Sequence, residues 1–130
     1  MSEGLCIVYL LSQPQGKDWQ MWLFTNTGFV SAVKQGSDLV IRARDAKSLE
    51  PIATFGKLKI KHTPENDYPY RVITDNDTFA RWTHFMCQTI EYSNFKSEVA
   101  ITRGAKFAKA LSKVWSAMHD VEDKAAREGR

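Results

Sequence analysis

The sequence predicts an α+β domain: a four-stranded, mainly antiparallel sheet covered on one face by helices, in two layers. Three observations predict it. Two stretches of strand character flank Gly36-Ser37, a turn of hairpin type. Two more flank Pro64-Glu65-Asn66-Asp67, which turns the chain. The C-terminal third carries apolar residues three and four apart, the spacing of amphipathic helices.

The elements follow in order. Met21 to Thr25 is a short apolar stretch. Across Gly28 to Gln35, Phe29, Ser31 and Val33 point one way, and Val30, Ala32 and Lys34 the other. From Leu39 to Asp45 the alternation is clearer: Leu39, Ile41 and Ala43 share a face opposite Val40, Arg42 and Arg44. Asp45 can cap a short helix through Ala46 to Ala53, which Pro51 shortens or delays and Gly56 ends. Lys57 to Thr63 is expected as a strand with Lys57, Lys59 and Lys61 on one face. Tyr68 to Thr74 returns as a strand, with Pro69 at its start, where a missing amide donor does least harm.

Asp75 or Asp77 then caps a helix whose buried stripe is Phe79, Trp82, Met86 and Ile90. Ser93 or Asn94 can cap a short helix from Phe95 to Thr102, and Gly104 punctuates. In the last helix Phe107, Leu111, Val114, Met118 and Val121 form an apolar seam. Residues 1–20 read as an N-terminal extension, strand or poorly ordered. Residues 21–123 read as one domain, and residues 124–130 as a polar tail.

Composition narrows the function classes. A hydrophobic fraction of 43% and an aromatic fraction of 12% fit a packed globule and exclude a disordered chain. Cys6 and Cys87 are too few for a disulfide framework, so reduced thiols and a cytoplasmic location are expected. No apolar run approaches the ~20 residues of a membrane span, so no membrane association is expected. No Walker loop, dinucleotide fingerprint or nucleophile elbow occurs, and the histidines lack metal-ligand spacing; no cofactor and no metal are expected. The net charge of +3 is modest, so its placement matters more than its sum.

The ordered set Met21-Trp22-Leu23-Phe24-Thr25, Gly28-Phe29, Asp67-Tyr68-Pro69-Tyr70-Arg71, Asn94-Phe95-Lys96 and Val114-Trp115 resembles an uncharacterised family of small bacterial proteins. The resemblance runs from Met21 to Asp120. It implies a domain that starts near Met21-Trp22, and it implies no activity.

Two constellations are candidates for binding. Arg42, Arg44, Lys57, Lys59 and Lys61 occupy polar strand phases, with Tyr70 placed among them. Cations that contact phosphates, beside rings that stack on bases, are how open sheets bind single strands. Arg71, Asn94 and Lys96 form the second set, suited to a phosphate or carboxylate. The competing structural roles are a solvated face for the first set and a packed corner for the second, with Arg71 paired to Asp67 or Glu91. The expected function is non-enzymatic binding, with nucleic acid as the first ligand class. The alternative is a protein-interaction or regulatory module acting as a homodimer through Trp22, Trp115 or the last helix. An enzyme acting on a phosphate-bearing small substrate is the third reading.

Overall fold

The computed structural model describes residues 20–125. The expectations for residues 1–19 and for 126–130 lie outside the described residues. Gln20, expected in the extension, opens the first strand.

The strands are β1 (Gln20–Thr25), β2 (Gly28–Gln35), β3 (Asp38–Ala43), β4 (Lys61–His62) and β5 (Tyr70–Thr74). They form a five-stranded sheet in the order β1-β2-β3-β5-β4, with every neighbouring pair antiparallel. The helices are α1 (Glu50–Gly56), α2 (Asn76–Gln88), α3 (Phe95–Arg103) and α4 (Ala105–Ala117). Short 3-10 turns at Ala46–Ser48 and Met118–Val121 precede α1 and follow α4. The α+β class stands, but the expected four strands become five. The added strand is the apolar stretch at Met21, which pairs along its whole length with β2.

Period two explains the core. Val30 and Ala32 on β2, Leu39, Ile41 and Ala43 on β3, and Val72 on β5 are buried on one face. Leu49, Ile52 and Ala53 around α1, and Phe79 and Trp82 on α2, cover that face. Asp45 and Asp75 accept from the backbone N–H of Ser48 and Thr78, at 3.2 and 2.7 Å, and so cap the 3-10 turn before α1 and the start of α2. The stripe expected on α2 is buried only at Phe79 and Trp82: Met86 is half-buried and Ile90 lies beyond the helix end.

Helical cover is not confined to one face. α3 and α4 pack on each other, and α3 is tied to the β1–β2 turn. Phe107, Leu111 and Val114 of α4 face a cleft whose other wall includes Trp22, Phe24 and Phe29, on the sheet face opposite the core. The seam expected along the last helix is buried only at Leu111; Met118 and Val121 are exposed.

The expected strand at Lys57 to Thr63 contracts to Lys61–His62. Lys57 takes φ 55°, the left-handed cap of α1, and the Leu58 N–H donates to the Ala53 carbonyl at 2.8 Å. Lys57 and Lys59 therefore lie on the approach to β4 and not on a strand face. The left-handed position falls on Lys57 and not on Gly56. A side chain there is strained, and glycine relieves that strain at some entropic cost in the unfolded chain. Lys57→Gly should raise stability by up to about 1 kcal/mol, read from the denaturant midpoint.

Candidate nucleic-acid interface

The antiparallel register builds a row of side chains across the face opposite the core. Trp22 lies opposite Ser31, Ser31 opposite Arg42, Arg42 opposite Arg71, and Arg71 opposite Lys61. Directly opposed residues share a face, so the row crosses all five strands. Two arginines side by side on paired strands repel each other, an arrangement that sheet stability alone disfavours.

Their partners are mostly neutral. Arg42 Nη2 donates to Ser31 Oγ at 2.9 Å and to Gln20 Oε1 at 3.2 Å. The Arg71 side chain has no hydrogen bond or ion pair among the described residues. The Nε atoms of both arginines are shielded from solvent and lack a partner. Arg44, two residues beyond Arg42, donates to the Asp67 carboxylate at 3.3 Å and to its carbonyl at 3.1 Å. That ion pair is exposed and holds its charge weakly.

Tyr68 lies between the arginines. Its ring is buried, with the Arg42 guanidinium 4.5 Å and the Arg44 guanidinium 4.6 Å from its centre. The ring layer continues through Phe29, 6.5 Å away, to Phe24, stacked on Phe29 at 4.5 Å, and to Trp22, edge-on at 5.9 Å. Tyr68 thus fixes the two guanidinium planes, while Trp22 is 62% exposed. Sequence reasoning placed Tyr68 in a packing corner and missed this role.

One polar node holds the helices beside this face. Arg103, at the end of α3, pairs with Asp45 and donates to the Thr27 carbonyl at 2.8 Å and to Ser48 Oγ at 3.2 Å. Ser48 Oγ also accepts from the Phe29 N–H at 3.2 Å. The guanidinium lies 4.2 Å from the centre of the Phe107 ring, which links the node to α4. Gly28 allows the close approach: a Cβ there would lie 2.2 Å from Ser48 Oγ. Burial raises the Asp45 carboxyl, but hydrogen bonds with Ser48 and Arg103 and the Arg103 charge outweigh it and hold the group below its ordinary value.

The candidate residues separate as follows. Arg42, Arg44 and Lys61 share the outer side of the sheet, and Arg71 joins them instead of Asn94 and Lys96. Tyr70 falls on the other face, packed against the core and stacked on His62 at 4.7 Å. Lys57 and Lys59 leave the row with the shortened strand. Asn94 caps α3 by accepting from the Ser97 N–H at 2.9 Å. Lys96 Nζ sits 4.3 Å from the centre of the Trp115 ring. The cleft beside Asn94 and Lys96 is lined by Phe24, Phe95 and Trp115, and not by Arg71. Asp67 pairs with Arg44, so of the two structural partners considered for Arg71, Asp67 or Glu91, the first is taken by another arginine. Cys87 is a free, exposed thiol.

Among the described residues no group of His, Cys, Asp and Glu could hold a metal ion, and no helix is long and apolar enough to cross a membrane. Comparison of the chain with protein-family models, curated proteins and solved structures gave no match.

Two outcomes test the node. Gly28→Ala should cost about 2–3 kcal/mol, because the new methyl displaces the Ser48 hydroxyl from its donors. Asp45→Asn should cost about 1–2 kcal/mol at neutral pH, a modest value because the carboxylate is 44% exposed. The folded-state pKa of Asp45 is depressed, so its stabilisation is full above the ordinary carboxylate value and is lost as pH falls through the folded value. The gap between parent and variant in urea melts should therefore close below about pH 4. A gap that persists unchanged at low pH would remove the ionic role.

Proposed function

We propose that this protein binds single-stranded nucleic acid across the outer face of its sheet and carries out no reaction there. The observation that supports this reading is the row Arg42–Arg71–Lys61, with Arg44 beside it. Arginine forks suit phosphate oxygens, and among the described residues no carboxylate pairs with Arg42 or Arg71. An anion between Arg42 and Arg71 would also cancel their mutual repulsion. A backbone with one charge per nucleotide supplies such anions in series. Exposed Trp22 at the far end of the row adds a stacking surface.

A second reading has its own observation. Val114, Trp115, Met118 and Val121 leave a strip of large apolar side chains exposed along and beyond α4. Self-association would bury such a strip. A solution mass near twice 14.8 kDa would support it, and a monomer at high concentration would exclude it.

The first reading predicts binding of a labelled single-stranded oligonucleotide that weakens steeply with salt. A variant with Arg42, Arg71 and Lys61 all replaced by glutamine should lose most of that binding. The slope of log affinity against log salt should shrink by about 2, since single strands contribute about 0.7 per phosphate contact. Replacing Lys57 and Lys59 should change affinity little. Equal binding by the row variant and its parent would overturn the reading.

A further inference from the structure

The cleft between the sheet face and α4 adjoins the row of cations, which leaves it unexplained. It encloses about 380 Å³, within the range of small-molecule sites. Its floor carries the Trp22, Phe24 and Phe29 rings from β1 and β2, and its far wall is Phe107, Leu111 and Val114 from α4. Arg44 and Tyr68 stand at the side that meets the cation row. Arg44 follows Arg42 by two residues along the same strand direction, about 7 Å. A phosphate on Arg42 is therefore one short step from the ring-lined slot.

The chemistry of the slot is selective. Three rings on the floor and Phe107 on the far wall favour a flat π-system over an alkyl chain. The cations at its mouth favour a ring that carries an anionic tail. A nucleotide within a strand meets both conditions, with its base in the slot and its phosphate outside. We infer that this cleft receives one unstacked base of a strand whose phosphates lie on Arg42, Arg71 and Lys61. The inference rests on the sheet face being a nucleic-acid surface. It adds that one base enters the cleft at a defined position, beyond stacking on the exposed side of Trp22.

Ala110 makes the test possible. It lines the cleft from α4 and is exposed, so a large side chain there fills the slot without removing a core group. Two fluorescent strands of equal length, one with bases and one abasic, are titrated against parent, Ala110→Trp and Trp22→Leu. Thermal melts confirm that each variant folds. The parent should prefer the base-bearing strand about tenfold or more, the range of stacking on one aromatic platform. Ala110→Trp should lose that preference while keeping the parent's affinity for the abasic strand, and Trp22→Leu should lower the preference.

Failure takes distinguishable forms. If parent and Ala110→Trp bind both strands alike, while the glutamine variant of Arg42, Arg71 and Lys61 loses them, the phosphate surface survives and the base site is overturned. If both cleft variants weaken the abasic strand as much as the base-bearing one, the cleft acts only through structure and the inference is again overturned. If the parent binds neither strand, the nucleic-acid reading falls and takes the base site with it.

Discussion

Arg103 is the interaction on which the outer surface of this fold depends. Its guanidinium meets the Asp45 carboxylate and the Ser48 hydroxyl of one capped turn and the Thr27 carbonyl of the β1–β2 turn. Its side chain is only 10% exposed, so its charge must be matched where it lies. Gly28 lets β2 come close enough for Ser48 to join. Thr102 and Asn26 reinforce the same junction: the Thr102 hydroxyl donates to the Asn26 carbonyl, and Asn26 lies 3.4 Å from the Glu98 carboxylate. Apolar packing alone anchors α3 at Val99 and α4 at Leu111. The polar node therefore sets the angle at which the helical pair stands against the sheet.

That angle shapes the cleft. Phe107 lies against Arg103 and also lines the slot above Phe24 and Phe29. The sheet face itself is organised by a second arginine motif, Arg42 and Arg44 on either side of Tyr68. One cation cluster is thus spent on architecture and the other is left under-neutralised. Arg103 has a carboxylate and two further acceptors, whereas Arg42 has neutral acceptors and Arg71 has none among the described residues. This contrast, more than the net charge of +3, separates a structural arginine from a candidate ligand-binding one.

Much of the sheet was legible in the sequence. The β2–β3 hairpin announces itself through Gly36-Ser37 and through Leu39, Ile41 and Ala43 at period two. The alternation at Lys57 to Thr63 misled for a physical reason. Leu58 and Ile60 do face the core, but the Leu58 N–H is bonded to the end of α1 and cannot join a ladder. Alternation reports which side chains are buried, not which backbone groups are paired. The seam of α4 shows the same gap: spacing marks an apolar face without showing what covers it. Arg71 and Tyr70 exchanged roles because adjacent residues of one strand point to opposite faces, and only the register with β3 reveals which is which. Arg103 lies close in sequence to Lys106, Lys109 and Lys113, which marks it only as one more cation near a helix. Its partners Asp45 and Thr27 are 58 and 76 residues away in sequence, so no local pattern could have revealed them.

Hydrogen exchange on Arg103→Met tests the central claim most directly. If the node holds the helical pair on the sheet, amides of Phe95–Ala117 will exchange faster than in the parent, while β2, β3 and β5 stay protected. Unchanged protection across α3 and α4, or a loss spread evenly through the sheet, would contradict it.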